Sequence, residues 1–94
     1  MQLSREDLDG LLSVRSENEH LEFKEAKQRF DFEEMVKYCV ALANEGGGLI
    51  LLGISDKLPR QVVGTLAFDT PEKTVAGLYH RLNFKVEWQE LAHP

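Results

Sequence analysis

Apolar positions along the chain fall into blocks whose period changes from one block to the next. Leu8, Leu11 and Leu12 recur at helical spacing, and Ser4 with Asp7 three positions on forms an imperfect capping box. This predicts a helix over 4–12. Residues 14–20 are polar and read as loop. Leu21-Glu22-Phe23-Lys24 alternates as a half-buried strand does. Leu21 and Phe23 then face the core, while Glu22 and Lys24 share the other face, because strand side chains repeat with period two. Asp31 followed by Glu34 opens a second helix, over 32–44, whose acidic first turn suits the helix dipole. Met35, Val36, Cys39, Val40, Leu42 and Ala43 give it a broad apolar stripe. Asn44-Glu45-Gly46 ends it, glycine being the residue that takes the left-handed conformation at least cost.

Leu49 to Ile54 is a nearly continuous apolar run and reads as a central strand buried on both faces. Asp56 to Arg60 is a turn, with Gln61 to Gly64 as its hairpin partner. Thr70-Pro71-Glu72 starts a third helix, over 71–82, with proline at the first helical position. Val75, Leu78, Tyr79 and Leu82 supply its apolar spacing. Phe84 to Glu90 alternates again and reads as a last strand. The expected fold is one small α/β (α+β) domain over 1–94, with three helices and a mixed sheet. Leu21, Phe23, Val40, Ile50, Leu52, Leu78 and Val86 are its expected core. A strand pattern followed at once by His93-Pro94 reads as a fragment of a longer protein, truncated at the C-terminus.

Composition narrows the function classes. With 94 residues there is room for one domain and a thin core. No run approaches the roughly 18 apolar residues of a membrane helix, and the N-terminus lacks a signal-peptide plan. Cys39 is the single cysteine, which excludes an internal disulfide and a CxxC zinc site and points to the cytoplasm. A net charge of −5 opposes a broadly basic nucleic-acid binder but leaves room for a local basic strip.

Four groups of residues carry candidate chemistry. Glu17, Glu22 and Asp56 are hard oxygen ligands of the kind magnesium or manganese takes. Glu17 and Glu22 are an odd number of positions apart, so they converge only if Glu17 lies in the loop before the strand. The bland alternative is three solvated acids. Lys24 could hold a phosphate or stabilise charge in phosphoryl transfer; its bland alternative is a cross-strand ion pair worth little when exposed. Lys24, Lys27 and Arg29, with Arg15 upstream, make the densest basic cluster, interleaved with Glu17, Glu19, Glu22 and Glu25.

Gly46-Gly47-Gly48 could let backbone approach a phosphate. However, the order helix, glycines, strand is the reverse of a phosphate-cradling loop, and no Gly-Lys-Ser/Thr follows. A helix stop with a tight turn is the stronger reading, and ATP binding has no supporting motif. Asn44 either caps that helix end or points into a cleft. Cys39 belongs to an apolar stripe. His20, His80 and His93 lack metal-ligand spacing. Trp88 could stack on a base, although a core role is more usual.

Two stretches, Glu17 to Lys24 and Ala41 to Asp56, together resemble the Schlafen/AlbA-type DNA-binding domain. The motifs are Glu22-Phe23-Lys24, Ala41-Leu-Ala-Asn44-Glu45-Gly46-Gly47-Gly48 and Gly53-Ile54-Ser55-Asp56. The likeness is good over residues 17–64 and looser to the end. Asp56 to Gly64 looks like a bacterial branch in which this domain opens transcriptional regulators, often with a C-terminal winged-helix segment. Such proteins are frequently labelled helicase-related or ATP-binding. Some vertebrate Schlafen members are metal-dependent endoribonucleases acting on transfer RNA, and the resemblance maps their acidic triad and lysine onto Glu17, Glu22, Asp56 and Lys24. Those enzymes pair two lobes into a cleft, so one lobe would need a homodimer.

Three readings follow. The first is a nucleic-acid-binding module of a bacterial transcriptional regulator, partnered by DNA or RNA and by a downstream domain. The backbone would meet Lys24, Lys27, Arg29 and Asn44, with Gly46, Gly47 and Gly48 as a backbone turn. The second is a metal-dependent endoribonuclease-like domain using Glu17, Glu22 and Asp56 as ligands and Lys24 beside them. The third is a non-catalytic ligand-sensing or assembly domain. None of them involves a membrane.

Overall fold

The computed structural model describes residues 2–13, 18 and 20–92. Helix α1 spans Arg5–Leu12 and begins with the expected box. The Ser4 hydroxyl accepts from the Asp7 N–H at 3.1 Å, and the Asp7 carboxylate accepts from the Ser4 N–H at 2.9 Å. Strand β1 is Leu21–Lys24, helix α2 is Phe32–Asn44, strand β2 is Leu49–Leu52 and helix α3 is Pro71–Leu82. Asp31 caps α2 by accepting from the Glu34 N–H at 3.0 Å. Pro71 stands in the first turn of α3, and Asn83, left-handed at φ 64°, ends it.

β1, α2 and β2 form a parallel strand–helix–strand unit in which Leu21 pairs with Leu49 and Lys24 with Leu52. The glycine turn makes the return from α2 to β2. Gly46 and Gly47, at φ 89° and 114°, send their N–H groups back to Ala43 O and Leu42 O at 3.0 and 2.8 Å. Gly48 then passes so close to β1 that a Cβ there would clash with the His20 carbonyl oxygen. That approach lets the Leu49 N–H reach the same oxygen at 2.9 Å and start the ladder.

The two strand faces feed two apolar clusters. Leu21 and Phe23 join Leu8 and Ile54 on the α1 side, with Leu49 and Leu51 against them. Met35, Val36, Cys39 and Leu78 form the other cluster, which Ile50 and Leu52 meet from β2. The continuous apolar run of β2 is thus explained by apolar cover on both faces. An Arg81–Glu33 ion pair of 2.6 Å ties α3 to α2 at the surface.

Four expectations are corrected. Among the described residues β2 ends at Leu52 and pairs within the sheet with β1 alone, so all four of its residues are half-buried and it is not a central strand. Gly53, left-handed at φ 84°, stops the strand. The hairpin at 61–64 shrinks to a single antiparallel bridge, Ile54 with Val62. Val63 and Gly64 both donate to Gly53 O, at 2.8 and 3.0 Å, so the ladder cannot advance. Phe84 to Glu90 is not a strand. Val86 and Trp88 pack on the α2–α3 cluster, so the alternation records one-sided burial without a paired neighbour. Finally, Val40 is 41% exposed, because a sheet two strands wide is narrower than the apolar stripe of α2.

Candidate functional site

Period-two geometry places the site. Leu21 and Phe23 are buried, and Glu22 and Lys24 project to the opposite face, the one α2 covers. The Lys24 Nζ lies 3.6 Å from Glu22 Oε1, with side-chain exposures of 31% and 23%. Lys24 therefore forms an ion pair, but with a neighbour on its own strand and not across strands as expected. The ammonium also stands 4.9 Å over the centre of the Tyr38 ring. Tyr38 in turn runs nearly parallel to Phe30, with ring centres 6.3 Å apart and planes inclined by 24°.

Glu22 and the last two turns of α2 border an open cleft of about 340 Å³. Asn18, Glu22, Tyr38, Leu42, Asn44 and Glu45 supply its functional and apolar lining. Asn18 is fixed by two backbone hydrogen bonds with Leu21 and by its side-chain oxygen accepting from the His20 N–H at 2.8 Å. Asn44 lies on the last turn of α2 and does line the cleft, as one of its two readings required.

Lys27 and Arg29 are exposed on the loop between β1 and α2. That loop is pinned from outside: the Thr65 hydroxyl donates to Ala26 O, and the Leu66 N–H donates to Lys27 O at 2.7 Å. Lys24, Lys27 and Arg29 thus follow one another along a held segment that ends at Phe30, the ring against Tyr38. The glycine turn, by contrast, spends two of its N–H groups on closing α2, and His20 Nδ1 donates to Gly47 O at 2.8 Å.

Asp56 is exposed on the turn beyond β2, at the end of the sheet where Gly53 and Ile54 donate to Lys24 O at 2.8 and 3.2 Å. It does not line the cleft that holds Glu22. Glu17 lies outside the described residues. Among the described residues no three His, Cys, Asp or Glu side chains form a metal-holding group. No helix among them is long and apolar enough to cross a membrane.

Sequence reasoning missed two residues. Tyr38 sits beside the buried Cys39 and gave only a helical-flank signal. Arg60 was assigned to an ordinary turn, yet it is 8% exposed and its guanidinium lies 4.2 Å over the Phe23 ring. Nothing in the apolar pattern marks a buried arginine; a planar cation stacked on a ring is a tertiary contact.

No curated protein and no solved structure gives a significant match. The family model described as Schlafen, AlbA_2 matches residues 17–91, which takes in β1, the glycine turn, the Asp56 turn and α3. The cleft, its flanking cations and the glycine return therefore all lie inside the matched region, and the chain belongs to the Schlafen/AlbA_2 family.

Proposed function

We propose that this domain is the nucleic-acid-binding module of a bacterial transcriptional regulator acting in the cytoplasm, docking on phosphates through Lys24, Lys27 and Arg29. Membership of the Schlafen/AlbA_2 family makes it a nucleic-acid-related domain. The observation that carries the finer reading is the row of three cations on a segment held in place by Thr65 and Leu66. A net charge of −5 does not defeat it. At physiological salt the screening length is about 8 Å, so a phosphate responds to the local strip far more than to distant acids. A downstream domain of the same protein is the partner this reading calls for; a second copy belongs to the nuclease reading below.

Three phosphate contacts release counterions and give a log–log salt slope of about −2 to −3. Anisotropy with a labelled oligonucleotide between low and moderate salt should show that slope. The Lys24→Ala/Lys27→Ala/Arg29→Ala variant should flatten it and weaken binding while melting like the parent. Salt-independent binding, or a variant that binds as the parent does, would reject the strip.

The Glu22–Lys24 pair supports a second reading, a metal-dependent nuclease. An acid that lines the cleft, with a cation 3.6 Å from it, supplies components that metal-assisted phosphoryl transfer uses. Magnesium or manganese supplies an activated water when bound. Of the three carboxylates this reading assigns to the metal, Glu17, Glu22 and Asp56, Glu22 lines the cleft and Asp56 does not, so Asp56 would have to move to join it; Lys24 is the cation for developing charge. Glu22→Gln should then abolish metal-dependent cleavage of a structured RNA while leaving the fold intact. For a pure binding module no cleavage appears at any protein concentration.

A further inference from the structure

Resting on the nucleic-acid-binding reading, we infer that the cleft between β1 and α2 is a pocket for one unpaired nucleotide of a single strand, whose base lies on Tyr38. Four observations converge on it. The cleft, about 340 Å³, is at the small end of the range for small-molecule pockets, the size class of a single nucleotide. Tyr38 lines it, half-buried and backed by Phe30, so the ring is an oriented platform. Asn18 and Asn44 line it too, and carboxamides offer both donors and acceptors to the edge of a base. The charges are also divided. Glu22 and Glu45 line the cleft, while Lys27 and Arg29 are exposed on the loop that reaches its edge through Phe30, the ring against Tyr38. A phosphate is repelled from the interior and attracted to the flank, which leaves the base to enter.

Lys24 links the two regions. In this structure its ammonium is held over the Tyr38 ring and beside Glu22. Both contacts are partly exposed and individually weak. A phosphate at the flank draws the ammonium outward and uncovers the ring, and the base takes the position the ammonium leaves. A duplex cannot use this pocket directly, since its base faces are already stacked and one base would first have to flip out.

The test uses the whole chain and a labelled single strand, the same sequence as a duplex, and the single strand carrying abasic sites. Removing one stacked base is expected to weaken single-strand binding about 5- to 160-fold. Tyr38→Leu should show that loss on the intact strand and none on the abasic strand. Tyr38→Phe should bind like the parent, and both variants should melt within a few degrees of it. The duplex should bind more weakly than the single strand and be insensitive to Tyr38. An abasic strand bound as tightly as the intact one, or Tyr38→Leu bound as tightly as the parent, overturns the pocket. If duplex binding keeps its salt slope while Tyr38 proves irrelevant, the pocket falls and the phosphate strip stands. If no nucleic acid binds, both fall.

Discussion

Phe23 is the residue on which most of the first cluster closes. It is fully buried between α1 and the sheet, and Arg60 lies across its ring. Phe23→Ala should cost about 3–5 kcal/mol, the range for emptying an aromatic core site. Urea denaturation measures it, and a cost under about 1 kcal/mol would mean that this cluster does not hold the fold together. Asp7 offers a residue-scale pH test. Its carboxyl is held below the ordinary value near 3.8, first by the Ser4 backbone N–H and then by the Ser4 hydroxyl. The folded value is depressed, so the contribution to stability is complete above the ordinary value and is lost as pH falls through the lower folded value. Ser4→Ala removes the hydroxyl and should move the Asp7 titration, followed by NMR, back towards the ordinary value. An unmoved titration would show that the box is not formed in solution.

At the scale of elements, the glycines separate by what surrounds them. Gly10 sits inside α1 with open space where a Cβ would go. Gly10→Ala should therefore stabilise the domain by up to about 1 kcal/mol, the helix-propensity difference. Gly48 faces the backbone of His20, so Gly48→Ala must push β2 away from β1 at the start of the ladder. Thermal melts should shift in opposite directions for the two variants. A Gly48→Ala protein as stable as the parent would contradict the close approach that starts the sheet. The same turn explains why a glycine cluster here differs from a phosphate loop. The helix arrives at it with unsatisfied carbonyls, and the turn's N–H groups satisfy them.

For the whole molecule, the chain ends matter more than their sequence suggests. Gln89 brackets Leu3, accepting from its N–H at 2.8 Å and donating to its oxygen at 2.7 Å. This joins the segment after α3 to the entry of α1. One residue before it, Trp88 meets Phe68 edge-on with ring centres 5.0 Å apart. Trp88 is the single tryptophan, so its emission reports whether this segment is docked. Gln89→Ala should redden that emission and raise iodide quenching, with far-UV dichroism unchanged because no helix is touched. Unchanged emission would mean that apolar packing of Val86 and Trp88 holds the segment by itself.

Local signals determined the three helices. Ser4, Asp31 and Pro71 mark their starts, and Gly46 and Asn83 lie where two of them end, because caps and 3.6-residue periods act within a few residues of chain. The same locality put Glu22 and Lys24 on one face of β1. What the sequence could not determine was how many strands would stand side by side. Apolar runs and alternation report burial, and burial can come from a helix as readily as from a neighbouring strand. Hence 84–90 kept its alternation without pairing, and Val40 kept its apolar spacing without being covered. The site divided in the same way. Its charges were legible as residue types at short spacing along β1 and the loop after it. Tyr38 under Lys24, and Arg60 over Phe23, depended on tertiary packing. They bring together residues far apart in the chain, and no local period encodes which ring a cation will find.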